Sequence, residues 1–246
     1  MNEHAGHRSR LRETFRRNGI EGMADHQVLE LLLTYALPRV DVNPLAHRLL
    51  DRFGTLNEVL SAQTDQLQQV QGVGGSTAVF LSLLGQVDRR MLLQRFSRKN
   101  RRTVLATPLA LGSYMLVLSL HDRYETLRLV CLNKKYELIY EGVVSSGSLT
   151  EVLADSRPIL ETALVHKACF IALGHNHPSG DVTPSREDED IALAIENAAK
   201  AVGIEVVDQF VLGRDAAYSL GTRRVLLFST PDLVADMSLS EYAQRE

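Results

Sequence analysis

The chain has 246 residues, 45% of them hydrophobic and 23% charged, with 27 Lys plus Arg against 30 Asp plus Glu for a formal net charge of −3. This is an ordinary soluble globular composition with room for one large or two modest domains, and its near balance of charge means that any nucleic-acid surface must be local. No apolar run approaches the roughly 18 residues of a membrane span, and the opening MNEHAGHRSRLRETFRR lacks the apolar core of a signal peptide, so a cytoplasmic protein with no membrane partner is expected. Cys131 and Cys169 each lie in an apolar stretch; they cannot form a disulfide framework or a Cys-rich zinc site and are expected in the core.

From His7 to Gln94 charged and apolar residues repeat at three- and four-residue intervals, which predicts helices. Arg8 to Arg17 form a basic first segment, and Gln27 to Leu33 carry a leucine-rich face. Pro38 and Pro44 bracket the turn into a helix over Pro44 to Phe53, closed by Gly54 where a C-terminal cap favours glycine. Two further helices flank Gly72-Val73-Gly74-Gly75, making a bundle of about five. The string from Leu67 to Ala78 resembles a helix-hairpin-helix, in which Gly72 and Gly74 let backbone N–H groups approach a DNA phosphate; an αα-hairpin that needs glycine only to turn has the same composition. Arg8, Arg10, Arg12, Arg16 and Arg17 offer further phosphate contacts or a solvated helix face.

The basic, weakly periodic LQRFSRKNRRTVLATP predicts an interdomain linker over 93–107, after a helical domain over 1–92. A helix is expected from Pro108 to Leu120, a strand over Thr126 to Leu132, a turn at Asn133-Lys-Lys and a strand over Glu137 to Val144. Pro158 to Lys167 reads as helix, Cys169 to Gly174 as a buried strand, and Arg186 to Val202 as a long helix capped by Gly203. Two short strands follow, around Ile204 to Val207 and Phe210 to Leu212. Helices alternating with a mixed sheet imply a layered α/β domain over 108–230, with a short amphipathic tail over 231–246.

The chemistry concentrates in Gly174-His-Asn-His-Pro-Ser-Gly-Asp-Val-Thr-Pro-Ser-Arg-Glu-Asp188. His175 and His177 sit two apart at a strand end, so period-two geometry points both imidazoles to one side. Asp188 arrives on the first turn of the next helix, where it can fold back toward them. Two His and a carboxylate with an open fourth position form the pattern of a catalytic zinc site. Ser185-Arg-Glu-Asp188 is also an acceptable helix capping box, which needs no metal. A base for the water proton must be a carboxylate, and Glu125, Glu137, Glu141, Glu151 and Glu161 all precede the His pair. Glu125 begins a strand, where a side chain is held by the sheet yet faces an open edge.

Other zinc chemistries lack their parts. A base deaminase needs His-x-Glu with Cys-x-x-Cys; an amidohydrolase barrel needs further His ligands downstream, and none follows His177; His-Glu-x-x-His is absent. His175-x-His177, seven residues, Ser185, two residues and Asp188 resemble the JAMM motif of MPN/JAB-domain metallohydrolases. The string His-Asn-His-Pro-Ser-Gly with a later Pro-Ser is similar to the bacterial RadC family. Gly6-His-Arg-x-Arg-Leu-Arg, Leu29 to Arg39 and Phe53-Gly54 extend that likeness over nearly the whole chain.

The resemblance implies an N-terminal helical bundle before a JAB/MPN α/β domain, with one zinc ion per chain on His175, His177 and Asp188. It implies Ser185 as oxyanion support and Glu125 as proton shuttle in hydrolysis of a peptide or isopeptide bond, on a peptide or protein substrate, with a link to DNA repair. A zinc-dependent nuclease and a DNA-binding adaptor with a structural metal stand as alternatives. Ser156-Arg157-Pro158, where Pro-Arg-Glu is expected, and Asp208-Gln209, where His often follows Asp, depart from the family pattern.

Overall fold

The computed structural model describes residues 3–97, 102–120, 122, 124–146, 156–229 and 232–244. The chain divides into two compact units, Met1–Asp88 and Arg89–Glu246. No helix among the described residues is long and apolar enough to cross a membrane.

The first unit is helical: α1 Glu3–Asn18, α2 Asp25–Ala36, α3 Asn43–Phe53, the short α4 Leu56–Leu60 and α5 Thr64–Gln68, and α6 Gly75–Phe96, whose last turns belong to the second unit. Leu29 and Leu33 of α2, Leu45 and Leu49 of α3, Val59, Leu67, Ala78 and Leu81 form its buried core. Burying their apolar surface holds α2 to α5, helices of 5 to 12 residues that would be marginal alone. Arg8 is not free for phosphate: its guanidinium donates to the Leu37 carbonyl at 2.9 Å and to those of Pro38 and Val40, satisfying groups that the end of α2 leaves unpaired. Glu30, 1% exposed, accepts from Asn43 at 2.7 Å and lies 2.6 Å from His7 Nε2, which ties α1, α2 and α3 together.

The second unit packs helices on both faces of a seven-stranded mixed sheet of order β2-β1-β3-β4-β5-β6-β7. Its elements are α7 Pro108–Ser119, β1 Thr126–Leu132, β2 Leu138–Ser146, α8 Arg157–Val165, β3 Phe170–Asn176, α9 Arg186–Ala201, β4 Glu205–Leu212, β5 Ala216–Ser219, β6 Arg224–Ser229, β7 Asp232–Met237 and α10 Leu239–Tyr242. Among the described residues only β3 and β4 pair in parallel, and α9 is the crossover between them. Because both faces are covered, β1 is buried at every residue. Val130 and Leu132 face α7, while Leu127, Leu129 and Cys131 face α8 and α9.

Three expectations are corrected. The expected linker is partly built into the second unit: α6 runs to Phe96, and Leu105 is fully buried in the core under α7. The expected tail begins with β7, which pairs antiparallel with β6. The two short strands after α9 are one strand, β4, because its polar interruption is satisfied internally: Asp208 accepts from Ser219 Oγ at 2.6 Å, Gly221 N at 3.0 Å and Gln209 N at 2.7 Å. Burial of the Asp208 carboxyl pushes its pKa up, against the lowering effect of those three donors.

The end of β4 also seats the loop that joins β3 to α9. Val182 of that loop is fully buried against Val211, Ala216, Tyr218 and Val225. A Cβ added at Gly213 would lie 2.5 Å from the Gly180 carbonyl oxygen and 2.8 Å from Val182 Cγ1. Gly213→Ala should therefore lower stability by about 1–3 kcal/mol, the usual cost of overpacking a tight contact. Urea unfolding of the full chain checks this, and an unchanged midpoint would show that the loop shifts freely.

Candidate metal centre

His175 and His177 leave β3 on the face toward α9, and the intervening Asn176 points to the other face. Asp188 comes from the first turn of α9, and helical periodicity explains why this acid alone turns inward. In Arg186-Glu-Asp-Glu-Asp190, Asp188 lies three and four residues before Ile191 and Ala192 and heads the buried stripe that continues through Ile195 and Ala199. Glu187, Glu189 and Asp190 are exposed.

The side chains converge closely. His175 Nε2 lies 3.2 Å from His177 Nε2 and 3.1 Å from Asp188 Oδ1, and His177 Nε2 lies 3.7 Å from Asp188 Oδ2. Glu125, half-buried and one residue before β1, offers a carboxylate oxygen to the same group, and all four ligand atoms lie within 4.8 Å of one another. Ligands about 2.0–2.1 Å from a tetrahedral zinc stand about 3.3 Å apart, so the His, His and Asp spacing fits a divalent ion. Without a proton or cation between them, two ring nitrogens and a carboxylate at these distances would be repulsive.

Backbone groups and a cap aim the ligands. His177 Nδ1 pairs with the Asp181 carbonyl at 2.8 Å, which leaves Nε2 to face the site. Gly180, with φ +92° in the left-handed region that suits glycine, closes the turn by donating to the His177 carbonyl at 2.9 Å. Ser185 caps α9: its Oγ accepts from Asp188 N at 3.1 Å, and its N–H and Oγ–H each donate to Asp188 Oδ2 at 2.7 Å. Asp188 thus belongs both to the capping box and to the candidate ligand set. Burial opposes ionisation of Asp188, but hydrogen bonds from His175, His177 and Ser185 together outweigh it and hold the carboxyl well below the usual carboxylate range. The hydrogen bond to Asp188 raises the pKa of His177, against burial and with help from the Asp181 carbonyl and the nearby Glu125.

The other acids stand elsewhere. Glu137 pairs with Asn133 at 2.7 Å, Glu141 accepts from Tyr114, and Glu161 lies in α8; Glu151 falls outside the described residues. Gly72, φ +99°, and Gly74 lie in the turn before α6 in the first unit. Of the two departures from the family pattern, Pro158 sits in the first turn of α8, where its missing N–H costs nothing. Gln209 donates Nε2 to the Ala192 carbonyl at 2.9 Å and so ties β4 to α9, one turn beyond Asp188. Asn176 and the Asp181 carbonyl escaped sequence reasoning; the period-two pattern that pairs the histidines would have set Asn176 on the opposite face.

The donor set predicts one zinc per chain by elemental analysis of the full-length protein. His177→Ala should lower zinc affinity by about 100-fold or more, because two remaining ligands lose the three-point geometry. Unchanged zinc content in that variant would overturn the assignment.

Two family models match this chain. Residues 105–225 match the RadC-like JAB domain, and residues 3–79 match the UPF0758 N-terminal domain. A JAB domain carrying a cluster of His, Asp and Glu suggests a metal-dependent hydrolase of the JAMM/MPN type. With both models matched in order along one chain, around a centre built at the end of β3, the protein belongs to the RadC family.

Proposed function

We propose that the chain is a JAMM-type zinc hydrolase acting on peptide or isopeptide bonds. The observation that carries this reading is the gathering of Glu125, His175, His177 and Asp188 within 4.8 Å. A zinc ion held there would polarise an amide carbonyl and lower the pKa of a water. His175 and His177 would hold it through Nε2, and Asp188 through a carboxylate oxygen. Glu125 is half-buried and close to the ligand atoms without sharing their cap, a placement suited to taking a proton from the attacking water and passing it to the leaving amine.

Ser185 has two duties in this reading. Its hydroxyl hydrogen lies on Asp188 Oδ2, so supporting an oxyanion requires the hydroxyl to turn away from that carboxylate. Asp188 Oδ2 keeps the Ser185 backbone N–H when it does so. Glu125→Gln keeps the shape of the side chain and cannot accept the proton; zinc content should persist while turnover falls by roughly 100-fold or more. Wild-type turnover in that variant would remove Glu125 from the mechanism. Cleavage of DNA, with no peptide or isopeptide turned over, would favour a nuclease.

DNA contact by the first unit is a second proposal, favoured by open backbone at the start of α6. A Cβ built at Gly74 or Gly75 meets nothing within 4 Å. Gly74, Gly75 and Ser76 are exposed where α6 begins, and the N-terminus of a helix favours an approaching phosphate. Arg10, Arg12, Arg16 and Arg17 are exposed on α1. Fluorescence anisotropy should show DNA affinity that falls with rising salt and falls again in Gly74→Val. No binding at low salt would leave the turn as a packing or protein-contact element.

A further inference from the structure

We propose that Asn176, between the two histidines, is a positioning residue that holds the Glu125 segment against the metal centre. The proposal rests on the hydrolase reading above and concerns a residue that neither binds the ion nor transfers a proton. Asn176 is 4% exposed. Strand alternation sends its side chain to the face opposite His175 and His177. There Oδ1 accepts from Thr126 N at 2.9 Å, and Nδ2 donates to the carbonyls of Tyr124 at 3.0 Å and Asp122 at 3.4 Å. These bonds flank Glu125 on both sides.

The reason for the clamp is visible in the strand register. The β1 to β3 ladder ends at the pair Leu127 and His175, so one residue further the backbone of β3 no longer holds the chain that leads into β1. Asn176 keeps its own main chain in register with Leu212 of β4 and lends its side-chain amide to β1 instead. An amide is suited to this task because it carries an acceptor for the Thr126 N–H and donors for two carbonyls, and it is neutral beside the ligand set. A second brace acts on the same segment: Arg128 Nε and Nη2 each donate to the Asp122 carboxylate at 2.7 Å. One three-residue strand end thus supplies two metal ligands on one face and the tether of the base on the other. Glu125 itself has no comparable tether among the described hydrogen bonds, so its placement is inherited from its neighbours.

The test compares wild type, Asn176→Ala, Glu125→Gln and the double variant as full-length protein. Asn176→Asp serves as companion, because it keeps an acceptor for Thr126 N and loses the donors to the two carbonyls. Cobalt(II) is the metal probe, followed by its visible absorption. Hydrogen exchange follows the amides of residues 122–127. In Asn176→Ala those amides should exchange about tenfold faster or more, while cobalt affinity stays within about threefold, because the three ligands keep their own supports. The cobalt spectrum should shift toward that of Glu125→Gln. On the peptide or isopeptide substrate kcat should fall about 10-fold to 100-fold with KM within about twofold, and the double variant should be no slower than Glu125→Gln alone. Asn176→Asp should move each readout in the same direction.

Three results would overturn the proposal: unchanged exchange over 122–127, cobalt affinity lost together with activity, or a double variant slower than Glu125→Gln by the full Asn176→Ala factor. If wild type turns over no amide substrate, the hydrolase reading fails by itself. The positioning claim is then decided by exchange and by the cobalt spectrum: a spectrum that moves with Glu125→Gln supports it, and one identical to wild type sinks it.

Discussion

Two imidazole nitrogens and a carboxylate held 3.1–3.7 Å apart in a largely buried pocket are stable only if a cation or a proton lies among them, and the surrounding fold is arranged to keep them there. His175, His177 and Asp188 have side chains only 8%, 20% and 5% exposed, so water does little to relieve that requirement. Each of the three is fixed by a different kind of bond: β3 is in ladder on both sides at His175, a carbonyl holds the His177 ring, and a helix cap holds Asp188. Preorganisation of this sort favours metal affinity and geometry together, because little order has to be created on binding.

The sheet places those supports. With β3 paired in parallel to β4, the crossover helix α9 must return along the same face, which brings its N-terminus to the carboxyl end of β3. The loop between them is short and is pinned at Val182 and against Gly213, so the Asp arrives at the His pair with little freedom. Glu125 comes from the antiparallel neighbour on the other side of β3, whose start lies beside the end of β3 for the same topological reason. β1, β3 and α9 thus meet at one end of the inner strands.

Much of this layout was legible in the chain. Thr126 to Leu132 is a strand with the expected ends, a mostly apolar run bounded by Glu125 and Asn133. The helices at Pro108 and Arg186 begin where Pro and a Ser-x-x-Asp cap predict. The misses share a cause. The apolar pattern of β4 is broken by Asp208-Gln209, and β7 carries Asp232 and Asp236 and lies at a mostly exposed edge, so neither announces a continuous strand. In both, hydrogen bonds to a neighbouring strand supply what local composition lacks: Ser219 of β5 donates to Asp208, and β7 pairs with β6.

The division between sequence and tertiary structure follows the range of the forces involved. Residue type and spacing along the chain were enough to single out three side chains that the fold brings together, since period-two alternation sets His175 and His177 on one face and a helix cap sets Asp188 at the start of α9. Spacing could not choose among five acids for the candidate base, nor show that Asn176 reaches 50 residues back to Thr126. Those facts depend on which strands lie side by side. Strand order comes from burying apolar surface on both faces of the sheet, a non-local and nondirectional force that no single segment encodes.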